Sequence, residues 1–404
     1  MPSTVARIGD VSTSDEGRAL PGDREPHPSN DALAGDTGAA PEPAAAAVPP
    51  PSLAAPGAVP DPQGATALHF GDPFAEQRAA ARDSALVDRS DREFIEITGP
   101  ERLTWLEGFI SQHVTELSPG QSTESLVLDA NGRVEHHFGV TATEDALLLD
   151  TPAGAAEALF AFLDRMVFWA EVTPRLAPEY ALLTVVGPDA LRALAPLDDG
   201  AEGARPGWLV ARRAQPGSAG DRVDLVVSRP ELRRAWDAVA ESASAVMGAW
   251  GWNALRVAEL LPSAADLDGK TIPHEVPSWI GGVESGGAVH LDKGCYRGQE
   301  TVSRVHNLGR APRALVRLML DGTADELPAP DTEVKAGART VGRLGTAVQH
   351  FELGPIALAL VKRNVGADIE LTVGDAAASI DPDSLPDDSG PQAGREAIDR
   401  LRKG

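Results

Sequence analysis

The chain has a single cysteine in 404 residues, Cys295. A lone thiol closes no internal disulfide, in keeping with a reducing cytoplasm. It also falls short of the several thiolates that hold a zinc ion or an iron–sulfur centre. No run of 18 apolar residues is present, so no transmembrane helix is expected. The opening residues, Met1 to Asp10, lack the basic-then-apolar order of a secretory signal, and the acidic stretch around them is unlike an Arg-rich transit peptide. Basic residues are in deficit: 36 Lys and Arg against 60 Asp and Glu leave a formal charge of −24. Such a surface repels phosphate backbones and anionic lipid, so neither nucleic acid nor a membrane is expected as a partner. A local basic cleft can still hold a small anion. The expected location is cytoplasmic.

Aromatic residues are absent from 1–66, a segment that holds 12 of the 33 prolines. It cannot bury enough apolar surface to offset chain ordering and reads as a disordered Pro/Ala-rich extension. Residues 381–404 read as a flexible tail, with a short helix from Arg395. Between them, 42% apolar residues and mixed periodicities give an α+β chain of several domains. In the first unit, 67–177, Phe94 to Ile97 is a strand, and Gly99-Pro100 opens a helix with Leu103, Leu106, Ile110 and Val114 on one face. Asn131-Gly132 marks a hairpin between Leu126–Leu128 and Val134–Val140. Thr151-Pro152 opens a further helix, to about Trp169. In the second unit, 178–312, Gly187-Pro188 repeats the strand–Gly-Pro–helix order, so the two units are expected to be built alike. Residues 313–380 hold only short strands, the pattern of a small β-barrel or sandwich.

The densest chemistry is Lys293-Gly294-Cys295-Tyr296-Arg297-Gly298-Gln299-Glu300. On an extended strand, Lys293, Cys295 and Arg297 share a face, and two neighbouring cations favour thiolate. Gly294 and Gly298 allow tight turning, and Gln299 and Glu300 add polar groups. A small buried hydrophobe is the competing reading of Cys295. A second candidate is Trp252 with Arg256, on Trp250 to Val257: a flat heterocycle stacks on indole, and an anionic tail pairs with a guanidinium. Trp252, Leu255 and Leu260 also fit the core face of one helix.

The run Lys-Gly-Cys-Tyr-x-Gly-Gln-Glu resembles, without a mismatch, the signature of the YgfZ family, relatives of the glycine-cleavage T-protein. Thr271 to Glu275 and Thr301 to Gly309 agree, and the resemblance covers roughly residues 75–380. It implies a T-protein-like cloverleaf of α+β units followed by a small C-terminal β-barrel domain. It further implies tetrahydrofolate or a folate derivative as cofactor, Trp252 in contact with it, and iron–sulfur client or assembly proteins as partners. Ala258-Glu259-Leu260-Leu261-Pro262 keeps only the proline of the Glu-Ala-Gly-x-Pro run of relatives, so the folate-contacting carboxylate of T-proteins is missing at 258, and Glu259 lies about 100° further round a helix. Glu135-His136 stands where T-proteins carry paired aspartates. The expected function is therefore a tetrahydrofolate-binding accessory protein for assembly or repair of iron–sulfur enzymes. The alternatives are a T-protein-like aminomethyltransferase and an interaction protein that kept the fold.

No metal site is expected. His274-Glu275 lacks a second histidine at Ser278 and is flanked by Pro273 and Pro277, and His136 and His137 point to opposite faces of a strand. Gly281 to Gly287 lacks the lysine and spacing of a phosphate loop.

Overall fold

A computed structural model describes residues 48–62, 64–198, 208–217, 220–323 and 326–386. The N-terminal stretch to residue 47 and the tail from 387, with the helix expected from Arg395, lie outside the described residues. Two five-stranded sheets and a closed six-stranded barrel carry the fold.

The first sheet has the order Ser122–Leu128, Val134–Ala142, Ala146–Thr151, Glu93–Thr98, Thr173–Leu176, with antiparallel neighbours throughout. Alternation along the strands sorts its side chains. Ile95, Ile97, Val127, Phe138, Val140, Leu147 and Leu149 bury against the helices Arg102–Glu107 and Ala156–Asp164. The latter helix starts later and stops sooner than Thr151-Pro152 suggested, because the chain leaves it at Arg165 and Phe168 takes a positive φ. On the opposite face, Phe94 and Leu148 meet Leu182 and Val226 of the second sheet, so the two sheets pack face to face.

The second sheet runs Trp208–Gly217, Gly220–Ser228, Tyr180–Gly187, Ala85–Asp88, Ala245–Met247, and only the last pair is parallel. Its outer face buries Leu86, Leu183, Val185, Val223, Leu225 and Val227, together with Trp236 and Val239 of the helix Leu232–Ser242. Ala85–Asp88 comes from the segment assigned to the first unit, so the division at 177 does not follow the sheets. Its four consecutive buried residues mark an inner strand, covered on both sides. A short apolar run says nothing about which sheet receives it.

The folded part also begins earlier than residue 67. Pro51–Ala54 forms a 3-10 turn, and Val59–Pro60 pairs with Ala67–His69. Buried Ser52 donates its N–H to Asp88 Oδ2 at 3.1 Å, and its hydroxyl accepts the Ala67 N–H at 3.2 Å. These backbone ties need no aromatic anchor, so composition alone misses them.

The barrel closes in the order Arg313–Leu320, Gly354–Lys362, Arg339–His350, Glu333–Ala336, Leu371–Val373, Ala376–Ile380. It extends beyond 380: Asp381 pairs with Arg317, and Ser384 Oγ accepts the Arg317 N–H at 3.0 Å. The helix Ala249–Ala258 and the helix Gln299–Leu308, with the coil between them, connect the sheets to the barrel. A shared core there joins Leu126 and Leu128 of the first sheet, Trp279, Tyr296, Val302, and Leu358 and Leu360 of the barrel. No helix among the described residues is long and apolar enough to cross a membrane.

Candidate functional site

The eight-residue motif is a loop leading into the helix Gln299–Leu308, where a strand was expected. Its side chains therefore do not alternate. Lys293 turns inward, and its Nζ donates to the carbonyls of Glu107, Ile110 and Gln112 at 2.7–2.8 Å, with the Glu107 carboxylate 3.2 Å away. All three ammonium protons are thus used to tie the loop to the first unit. Cys295 and Arg297 remain on the outside, exposed, and Arg297 pairs with Glu135 at 2.8 Å. The two cations expected beside the thiol are therefore an inward anchor and a surface ion pair. The buried-hydrophobe reading of Cys295 fails as well, since it is exposed. Tyr296 is buried. Gln299 Nε2 donates back to the Lys293 carbonyl at 3.3 Å, and Glu300 lies exposed in the helix's first turn.

Glu135 and His136 face a surface cleft of about 580 Å³, lined also by Arg133, Phe162, Arg165 and Arg297. Burial holds the His136 imidazole below its ordinary pKa. His137 points to the other side of the strand, where it hydrogen bonds Glu124 at 2.9 Å and lies 4.9 Å from the Trp279 ring. The two histidines do occupy opposite faces.

On that second face, charged side chains of the two sheets meet one another. Glu124, Gly139 and Asp150 sit side by side across three strands of the first sheet. From the second sheet, Arg222 reaches Glu124 at 3.5 Å and Asp224 at 3.8 Å, while Asp224 accepts from Thr184 at 2.6 Å. Arg92 holds Asp150 at 2.6 Å. Arg89 stands 4.0 Å from Asp224 and lies over the Trp252 ring, 4.4 Å from its centroid. A continuous chain of contacts thus runs from Trp252 through Arg89, Asp224, Arg222, Glu124 and His137 to Trp279. Burial opposes ionisation of Glu124, but the hydrogen bond from His137 and the charges of Arg222 and Arg92 hold its carboxyl down to about 2. Burial and the neighbouring Arg92 lower Arg89 to about 9, against the pull of Asp224. Among the described residues, the Arg89 side chain makes this ion pair and the ring contact and donates no hydrogen bond. A partly buried guanidinium with free N–H groups above an indole is ready to receive a flat, anionic partner.

Trp252 is half-buried, packed against the small cluster of Ala80, Ala85, Val87, Val186 and Met247, with Arg89 over its ring. Arg256 differs from the expectation. It is buried and donates to Asn253, to the Leu261 carbonyl, to Asp266 and to Thr346 of the barrel, at 2.5–3.3 Å. It fastens the helix Ala249–Ala258 to the barrel and has no face left for a ligand tail. The cation beside Trp252 is Arg89, which directly follows the strand Ala85–Asp88. No described contact joins Cys295 to Trp252, but Ala254 and Val257 of the Trp252 helix share a core with Trp279 and Tyr296. Arg89, Arg222, Asp224, Glu124 and Asp150 escaped sequence reasoning. Their signal was a charge set inside a strand of apolar residues, as in Val223-Asp224-Leu225.

Residues 68–220 match the family model described as the GCVT N-terminal domain, and residues 313–387 match the CAF17 C-terminal beta-barrel domain. The tRNA-modifying protein YgfZ of Klebsiella pneumoniae is 28% identical over 312 residues, covering 74% of this chain and 92% of that protein. An aminomethyltransferase of Pseudomonas syringae is 25% identical over 222 residues, covering 52% of this chain and 60% of that protein. The crystal structure of the glycine cleavage system aminomethyltransferase T from Bartonella henselae superposes with a TM-score of 0.66 at 19% identity, covering 80% of this chain and 93% of that one, and shows the fold.

Proposed function

Since the chain is a YgfZ-type relative of the glycine-cleavage T-protein, with its GCVT N-terminal domain followed by a CAF17-type barrel, we propose that it binds a reduced folate between its two sheets and supports the assembly or repair of iron–sulfur enzymes in the cytoplasm. The observation that carries this reading is Arg89, stacked on Trp252 with its hydrogen-bond donors free. Tetrahydrofolate offers a flat pterin for the indole and guanidinium, and carboxylates for the arginines. When bound, it supplies an electron-rich amine that takes up one-carbon units. Trp252 and Arg89 form one wall, and Glu124, His137 and Arg222 the polar floor. Cys295 stands exposed on its loop, where it can reach a partner protein.

The name of the Klebsiella relative points to tRNA. With a net charge of −24, direct tRNA binding is disfavoured. The role fits service to iron–sulfur enzymes, tRNA-modifying ones among them. The test is a strain lacking the gene, assayed for several iron–sulfur enzyme activities. Wild-type protein should restore them and Cys295→Ser should not. Undiminished activities without the gene, or full rescue by Cys295→Ser, would contradict the reading.

A further inference from the structure

The surface cleft faced by Glu135 and His136 carries an excess of positive charge in an acidic protein. Of its acids, Glu135 pairs with Arg297 at 2.8 Å, and Asp129 is taken up by the hairpin turn, accepting the N–H groups of Asn131 and Arg133 at 2.8 Å. Arg133 and Arg165 line the same cleft, exposed, and among the described residues their guanidinium groups donate no hydrogen bond and form no ion pair. Two uncommitted cations thus share one cleft in a chain of formal charge −24. The rest of the lining is largely apolar: Val134, Ala158 and buried Phe162, whose ring lies 6.4 Å from that of His136.

A second observation adjoins the first. Phe168 and Trp169 are 76% and 97% exposed, while no other large apolar side chain among the described residues exceeds 42%. The loop that carries them is fastened at both ends. Trp105 Nε1 donates to the Met166 carbonyl at 2.9 Å, and the Glu171 N–H donates to Glu101 Oε2 at 2.6 Å. Phe168 takes a φ of +41°, which a bulky side chain adopts only where the surrounding structure holds it. Three chain steps separate Phe168 from Arg165, and two separate Cys295 from Arg297, at most about 11 and 8 Å between Cα atoms. Exposed aromatics beside arginine are the composition of a protein interface. A nucleic acid would meet the overall negative charge along its length, whereas a short acidic segment meets the local arginines. We propose that the face from Trp169 across the arginine cleft to the Cys295 loop docks a partner protein through an acidic segment that also carries apolar side chains. Its carboxylates pair with Arg133 and Arg165, and its apolar groups meet Phe162 and the exposed aromatics. The proposal deepens the reading that Cys295 serves a partner protein, and rests on it for the kind of partner.

The experiment titrates purified full chain into short fluorescein-labelled peptides at low salt and follows fluorescence anisotropy. One peptide alternates Asp with Leu and Phe, and its controls carry Asn or Lys in place of every Asp. Saturable binding of the acidic peptide is expected, weakening as salt rises, with both controls at least about tenfold weaker. Arg133→Glu combined with Arg165→Glu should weaken binding about tenfold or more, and Trp169→Ala about five- to tenfold. All three positions are exposed, so both variants should fold as wild type does, which urea melts check. Neither folate nor an iron–sulfur enzyme enters the measurement, so a failure here is distinct from a failure of the deletion-strain test. Four results would overturn the proposal: no saturable binding to wild type up to about 1 mM, equal binding of the Lys peptide, unchanged affinity in either folded variant, or displacement by single-stranded RNA or pyrophosphate at matched ionic strength. The last would make the cleft a phosphate site.

Discussion

Gly132 and Gly298 meet where the hairpin turn of the first sheet touches the motif loop. Both take a positive φ, +78° and +84°. A Cβ built on Gly298 would lie 2.7 Å from the Asp129 carbonyl and 3.0 Å from Gly132 Cα, and one on Gly132 would lie 2.6 Å from Thr301. The Asn131-Gly132 turn and the Cys295 loop are therefore fitted to each other through two missing side chains.

Gly298→Ala and Gly132→Ala should each destabilise the fold by about 1–3 kcal/mol, from the backbone strain and the displaced neighbour together. Gly294→Ala is the internal control, because nothing lies within 4 Å of its would-be Cβ. It should stay within about 0.5 kcal/mol of wild type. Urea unfolding of the three variants checks the contrast.

Lys293→Met should cost about 3–5 kcal/mol, since it leaves three carbonyls and the Glu107 carboxylate without their buried cation. Arg297→Met, at an exposed ion pair, should cost less than about 1 kcal/mol. Equal costs in thermal unfolding would contradict the different roles assigned to the two cations.

Stability should fall as the medium is acidified through the histidine range. His274 is pushed down to about 4 by burial and by the nearby His306, below its ordinary 6.5. Between those values the unfolded chain binds the proton that the folded chain refuses, so stability present above about pH 6.5 is lost towards pH 4. His274 contributes at most about 3 kcal/mol of that loss. His274→Phe should flatten the dependence of the urea midpoint on pH between 6.5 and 4.5. The depressed carboxyls of Glu124 and Asp268 act lower, with their contribution lost as pH drops below about 4.

Aminomethyl transfer should be absent. Glu135 is engaged with Arg297 at 2.8 Å, and His136 is half-buried with its basicity reduced, so no free carboxylate pair stands at this point of the strand. A charge developing on a reacting amine would find no dedicated partner. Methylenetetrahydrofolate formed from an aminomethyl-lipoyl carrier at aminomethyltransferase rates would contradict this.

The architecture was legible where local pattern decides it. The Asn131-Gly132 hairpin, the two Gly-Pro helix starts and the helix-free run of short strands all correspond to elements of the fold, although the first of those helices, Arg102–Glu107, ends before Ile110 and Val114, which were expected on its face. Ala85–Asp88 was legible as apolar chain but not as a strand of the other sheet, because pairing partners are set by contacts distant in sequence. At the site, the motif announced itself by composition, whereas its side-chain directions did not. A loop with no period gives no face, and Lys293 went inward. Arg256 looked like a ligand cation from its spacing to Trp252, but Asp266 and Thr346 engage it first. Arg89 reaches the same indole from 163 positions away, a relationship that spacing along one helix cannot reveal.

The central claim is that a reduced folate lies between the sheets against Trp252 and Arg89. Tetrahydrofolate titrated anaerobically into the purified full chain, followed by calorimetry and by tryptophan fluorescence, tests it most directly. Wild type and Cys295→Ser should bind with the same affinity, and Trp252→Phe should bind about 5- to 10-fold more weakly while remaining folded. Arg89→Gln should weaken binding more than tenfold. No saturable binding to wild type, or unchanged affinity in both folded Trp252→Phe and Arg89→Gln, would contradict it.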